Sequence, residues 1–141
     1  MYKNIMDAKP SVLLADTSVL YSGLVYRGKD HHILLSGRYL FFTTEFSLRE
    51  MYWILRRKRE LPHTETIAAL RTLPVVVVGE MFFTEHMTDA VTLIGKRDAS
   101  DAPLVALAIA MEPQHDGIWT KDKDFDVVTS RFRIWKTTEL L

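Results

Sequence analysis

The sequence predicts an α/β fold: a mainly parallel sheet of about five strands with helices on both faces. One observation carries this reading. Short apolar runs of strand length alternate with helix-length segments along the whole chain, and such alternation favours a sheet covered on both faces. A second observation sets the organisation. No repeat, low-complexity tract or Gly/Ser/Pro-rich linker divides the 141 residues, so residues 1–141 read as one domain.

Val12-Leu13-Leu14-Ala15 is the first strand, closed by Asp16. Helices are expected over 17–27 and 30–37. Tyr39-Leu40-Phe41-Phe42-Thr43 is the second strand, followed by helices over 44–59 and 63–72. Pro74-Val75-Val76-Val77-Val78 is the third, followed by a helix over 84–95. A further helix spans 101–111, with Pro103 suited to its opening. Ile118-Trp119-Thr120 and Phe132-Arg133-Ile134-Trp135 complete the five strands.

Composition excludes several classes. At this length folding buries roughly 68–70% of the unfolded surface, enough for a core without staples. The sequence has no Cys, which removes disulfides and structural zinc apart from an all-His/carboxylate site. With 18 Lys+Arg against 18 Asp+Glu there is no bulk basic surface, so a polyanion must be met locally. The longest apolar run, Leu104 to Met111, is far below the ~20 residues that cross a bilayer. The N-terminal stretch lacks a secretory apolar region, because Asp7 and Asp16 interrupt it. The expectation is an intracellular, cytoplasmic protein without membrane association.

In a parallel α/β sheet, ligands bind at the carboxyl ends of the strands, and acids collect there. Asp16 ends the first strand and precedes Thr17-Ser18; by itself it reads as a helix cap. Asp122 and Asp124 follow the fourth strand in Thr120-Lys121-Asp122-Lys123-Asp124-Phe125, where a polar turn is the ordinary reading. Asp98 and Asp101 open the apolar helix 101–111; one of them is expected to cap it, which leaves the other unexplained. At 100° per residue Glu50 falls within about 60° of Phe46, Trp53 and Ile54. This places it in an apolar stripe without a Lys or Arg three or four residues away. A distant Arg is the ordinary partner for such a group.

If Asp16, Glu50, Asp101 and Asp122 converge, two of their charges 4 Å apart repel by about 4 kcal/mol at an effective dielectric near 20. A divalent cation relieves this. Oxygen ligands without Cys or a His cluster select Mg²⁺ or Mn²⁺ over Zn²⁺, ions that activate water for attack on a phosphodiester.

These segments resemble the PIN-domain family of metal-dependent nucleases. The resemblance spans residues 12–136. It rests on Leu14-Ala15-Asp16-Thr17-Ser18-Val19-Leu20, on Arg49-Glu50 within a helix, on the run from Asp98 through Asp101 to Ala108, and on Trp119-Thr120-Lys121-Asp122-Lys123-Asp124-Phe125. It implies a three-layer α/β/α sandwich. It also implies that Asp16, Glu50, Asp101 and Asp122 are the four site acids, with Asp98 and Asp124 as accessory acids and Thr120, Thr17 and Ser18 as supporting hydroxyls. The implied activity is RNA cleavage by water attack at phosphorus, leaving 5′-phosphate and 3′-hydroxyl ends, with Mg²⁺ or Mn²⁺ as cofactor. Glu50 either completes the metal shell or orients the water. Many members are ribonuclease toxins, which implies a cognate antitoxin and a homodimer. The alternative is a PIN-fold module that binds RNA or a partner without turnover; retention of all four acids argues against it.

Setting the four acids aside leaves 18 basic against 14 acidic residues, or +4 over the rest of the chain. Arg56-Arg57-Lys58-Arg59, Lys121 and Lys123 are candidates for phosphate contacts, although a solvated helix end equally accounts for the first four. The five His are dispersed or point apart and read as surface or core-edge residues. Trp53, Trp119 and Trp135 stand in apolar context and read as core, with base stacking as the alternative. Dinucleotide, P-loop and nucleophile-elbow motifs are missing from the sequence. A phosphoacceptor domain would need a carboxylate pair after the first strand and an acceptor Asp near the middle strand, but Val75 to Val78 ends in Gly79-Glu80, not Asp.

Overall fold

Strand and helix alternate in the expected order. The computed structural model describes residues 10–95 and 99–141. Strands β1 (Val12–Ala15), β2 (Leu40–Thr44), β3 (Val75–Val78), β4 (Ile118–Trp119) and β5 (Ile134–Trp135) form one sheet in the order β3-β2-β1-β4-β5. Every pairing is parallel. Between them lie α1 (Thr17–Val25), α2 (Lys29–Leu35), α3 (Glu45–Lys58), α4 (His63–Arg71), α5 (Met87–Ile94) and α6 (Ala102–Ala110). A last turn, α7 (Thr137–Leu140), follows β5 and has no counterpart in the sequence reading. A 3-10 turn at Thr84–His86, preceded by another at Glu80–Phe82, replaces the start of the helix expected over 84–95.

Side chains alternate across β1 and so serve two cores. Leu14 joins Ile118 and the residues of α5 and α6 on one face. Leu13 and Ala15 join Phe41, Trp119 and residues of α1, α2 and α3 on the other. Three layers result. Helix α6 is buried from Ala102 to Ile109, as its all-round apolar sequence requires.

Two glycines fix local geometry. Gly95 ends α5 at φ 78°, a conformation that costs other residues a Cβ clash. Gly117, at φ 126°, precedes β4; a Cβ there would stand 2.2 Å from the Arg133 carbonyl oxygen. That same oxygen accepts from Ile118 N at 2.9 Å, so the close approach that pairs β4 with β5 depends on the missing side chain.

The buried face of α3 differs from the sequence reading. Ser47, Met51 and Leu55 face the core at i, i+4 and i+8, whereas Glu50 and Trp53 are exposed. Ser47 tolerates burial because the Thr44 hydroxyl caps its N–H at 3.1 Å and donates to its Oγ at 3.3 Å.

Candidate metal centre

The strand order reverses direction at β1: the chain moves outward through β2 and β3, then returns to place β4 on the other side of β1. The carboxyl ends of β1 and β4 therefore flank a crevice, the usual place for a ligand in an open α/β sheet. Ala15 is in register with Trp119. The next residues, Asp16 and Thr120, thus leave the sheet side by side.

Asp16 is buried and caps α1, as its sequence position suggests, but capping is only part of its role. Its Oδ2 accepts from Ser18 N at 3.4 Å, from Ser18 Oγ at 2.8 Å and from Thr120 Oγ1 at 2.8 Å. Burial pushes its carboxyl above the ordinary aspartate value of 3.8, and the hydrogen bonds from Ser18, Thr120 and Thr17 oppose the rise. Thr120 Oγ1 also accepts from Asp122 N at 2.9 Å. One hydroxyl therefore orients Asp16 and fixes the backbone that carries Asp122. Ser18 adds a second tie, its Oγ accepting from Lys121 N at 3.1 Å.

Asp122 in turn caps the 3-10 turn Lys123–Val128, accepting from Asp124 N at 2.9 Å. This cap holds two acids close together. Asp101, buried at the N-terminus of α6, supplies the third: one carboxylate oxygen from each of Asp101, Asp122 and Asp124 lies within 4.8 Å of the others. Of the two aspartates of which one is expected to cap α6, Asp101 makes no side-chain cap bond. Pro103 removes one of the N–H groups a cap would engage, and the carboxylate belongs instead to the acid group. Asp98 lies outside the described residues.

Asp16, Asp101 and Glu50 line one recess of about 340 Å³ with Thr17, Phe46, Ser47, Met87 and Ser100. Glu50 reaches it from an exposed helix face rather than from an apolar stripe, which corrects the sequence reading. Asp124, expected as an accessory, stands in the tightest group, while Asp16 and Glu50 form the adjoining wall. Ser47 and Ser100 were not anticipated; only their spacing from Glu50 and Asp101 hints at them. The grouped donors are all carboxylate oxygens, a set that suits a hard divalent cation.

A further correction concerns Lys121. Its ammonium does not face the acids: it pairs with Asp30 on α2 and donates to Ser22 Oγ at 3.0 Å. Asp30 is 3% exposed and also accepts from Thr137 Oγ1 at 2.5 Å. The loop bearing Asp122 and Asp124 is thereby tethered to α2 and α7, and Lys121 is engaged with Asp30 rather than open to phosphate. The histidines stand apart from the acids. His31 Nδ1 lies 2.8 Å from Gly23 O and His63 Nδ1 2.7 Å from the Tyr52 hydroxyl, and neither is among the residues that line the acid recess.

Sequence comparison decides the family: the PIN-domain model matches residues 14–141. The chain belongs to the PIN-domain family. No curated protein sequence matches it. Among solved structures, this PIN domain is similar to Mycobacterium tuberculosis VapC20, a Sarcin-Ricin loop cleaving toxin, at 18% identity and a TM-score of 0.60, covering 87% of this chain and 97% of that one. It is also similar to VapBC2 from Rickettsia felis, bound to a DNA fragment from its promoter, at 10% identity and a TM-score of 0.62, covering 89% and 98% respectively. At these identities the likeness is one of fold, the three-layer α/β/α sandwich with a parallel five-stranded sheet.

Proposed function

We propose that this PIN domain is a Mg²⁺- or Mn²⁺-dependent endoribonuclease of the toxin type. The observation that carries the reading is the convergence of Asp101, Asp122 and Asp124 oxygens within 4.8 Å, beside buried Asp16 at the strand switch point. Membership of the PIN family and the likeness in fold to a Sarcin-Ricin loop cleaving toxin support it. The fold shared with a VapBC protein supports an antitoxin as partner. A homodimer accompanies the same reading.

Asp101 and Asp122 would hold the cation, with Asp124 beside them and Asp16 and Glu50 on the adjoining wall. A cation bound there supplies activated water and offsets the charge that builds on the phosphodiester oxygens. Thr120 keeps Asp16 aligned and prevents the Asp122 backbone from drifting, so the acids are positioned before substrate arrives. Glu50, the solvent-facing acid of the set, orients the attacking water. The water oxygen bonds to phosphorus and gives up a proton to solvent as the bond to the 3′ oxygen breaks, and the departing 3′ oxygen takes up a proton from solvent, leaving a 5′-phosphate and a 3′-hydroxyl.

The test is RNA cleavage by purified protein in Mn²⁺, with EDTA as control, together with calorimetric Mn²⁺ titration of wild type and Asp16→Asn. Wild type is expected to cleave only with the cation; Asp16→Asn and Asp101→Asn are expected to fold but not cleave. Full activity in EDTA, or undiminished cleavage by both variants, overturns the assignment.

A further inference from the structure

We propose that the exposed face of α3 beyond Glu50 is a nucleotide subsite, in which Trp53 stacks one base of single-stranded RNA and Arg57 and Lys58 meet the adjoining phosphates. The inference rests on the nuclease reading and adds to it how substrate is held.

Trp53 is not part of either core. It is 49% exposed, whereas Trp119 is fully buried against Phe41. An isolated exposed aromatic is unremarkable in itself, but this one is set in a structured place. Glu50, Trp53, Ile54, Arg57 and Lys58 line a recess of about 330 Å³. Glu50 also lines the acid recess, so the two are contiguous through a single side chain. Along the helix axis Trp53 lies about 4.5 Å and Arg57 about 10 Å beyond Glu50, at 1.5 Å per residue. A strand whose scissile phosphate sits among the acids would pass over this face next.

The indole is held in position. The Tyr52 ring packs edge-on against it at 5.0 Å, and Tyr52 is itself fixed by its hydroxyl, 2.7 Å from His63 Nδ1 and accepting from Arg56 Nη1 at 2.8 Å. The Arg57 guanidinium lies 5.6 Å from the Trp53 ring centre. A fixed aromatic flanked by cations is the combination that grips single strands: bases stack on the ring and the backbone is neutralised alongside. Charge argues for the same occupant. The acids repel a polyanion, the chain carries no net positive charge, and four successive cations, Arg56 to Arg59, end this helix next to the recess.

The experiment uses Asp16→Asn protein, which retains substrate, and single-stranded oligo(A) and oligo(U) as probes. Intrinsic fluorescence is expected to be quenched on RNA addition, and the quench is expected to vanish in Asp16→Asn/Trp53→Phe, which assigns it to Trp53. Affinity should fall in the order Trp, Phe, Ala at position 53, with Trp53→Ala weaker by about tenfold. Arg57→Gln should lower the slope of log affinity against log salt by about 0.7. In the active background Trp53→Ala should raise KM with kcat nearly retained, the signature of lost uniform binding. Unchanged RNA affinity and KM in a Trp53→Ala protein that still cleaves overturns the subsite and leaves the nuclease reading standing. Neither binding nor cleavage by wild type in Mn²⁺ overturns both. Quenching of Trp53 by self-association or by a protein partner, with RNA binding unaffected by Trp53→Ala, overturns the subsite in favour of a protein-binding face.

Discussion

Removing one acid from the cluster should strengthen the cation-free fold. Asp122→Asn keeps the side-chain oxygen that accepts from Asp124 N, so the cap survives and only charge is lost. With oxygens within 4.8 Å, each ionised pair repels by about 0.9 kcal/mol in a water-like dielectric and about 3.5 kcal/mol at an effective dielectric of 20. Asp122 is half-buried, and deleting its charge relieves its repulsion with both Asp101 and Asp124. Screening at physiological salt, where the Debye length is about 8 Å, roughly halves the water-like value. The net gain is about 1–3 kcal/mol, or some 3–10 °C in Tm for a chain of this size. Thermal unfolding in EDTA should show the variant above wild type. In Mn²⁺ at a thousandfold excess over Kd the order should reverse, because wild type gains about 4.1 kcal/mol and the variant far less. A variant no more stable than wild type in EDTA, with an undiminished response to Mn²⁺, refutes the view that these carboxylates share one electrostatic site.

Two further outcomes follow from buried ionisable groups. His115 Nε2 donates to Ala108 O at 2.9 Å and its Nδ1 accepts from Gly117 N at 3.0 Å, an arrangement only the neutral ring satisfies. Burial holds its pKa below the ordinary 6.5. Stability is therefore full above about pH 6.5 and falls as the pH drops through the lower folded value; urea midpoints measured from pH 7.5 to 5 should decline more steeply for wild type than for His115→Gln. At the Lys121–Asp30 pair the two deletions should differ. Lys121→Met leaves the buried Asp30 carboxylate without its cation and should cost about 2–3 kcal/mol, less than for a pair buried on both sides. Asp30→Asn keeps the Thr137 bond and leaves a half-exposed ammonium, so it should cost about 1 kcal/mol or less. Equal losses in urea unfolding would count against the tether as described.

The strands were legible because most are short apolar runs that end at a punctuating residue: Asp16 after Ala15 and Gly79 after Val78 mark strand ends directly. Helix α6 was legible for the same reason, its composition leaving no exposed face. Helix α3 was misread. A buried serine satisfied by a threonine cap and an exposed tryptophan invert the usual polarity code, and neither circumstance is visible without the tertiary structure. The convergence of Asp16, Glu50 and Asp101 on one recess could be anticipated from strand-end logic together with family resemblance. The closeness of Asp124 to Asp101 could not, since it depends on the 3-10 turn that Asp122 caps. Nor could the fate of Lys121, whose partner Asp30 is 91 positions earlier and reads locally as an ordinary first-turn acid of α2.

The Asp16–Thr120 hydrogen bond spans 104 positions, and this separation governs when the site comes into being. A growing chain that ends before Thr120 already carries Asp16, Glu50 and Asp101, yet it lacks the strand that aligns the first of them and the turn that supplies the remaining acids. Loop closure over so long an interval is among the slowest contacts to form. On the proposed reading the acid group is therefore assembled late: Asp16, Glu50 and Asp101 are already in the chain before the strand and turn that gather them with Asp122 and Asp124.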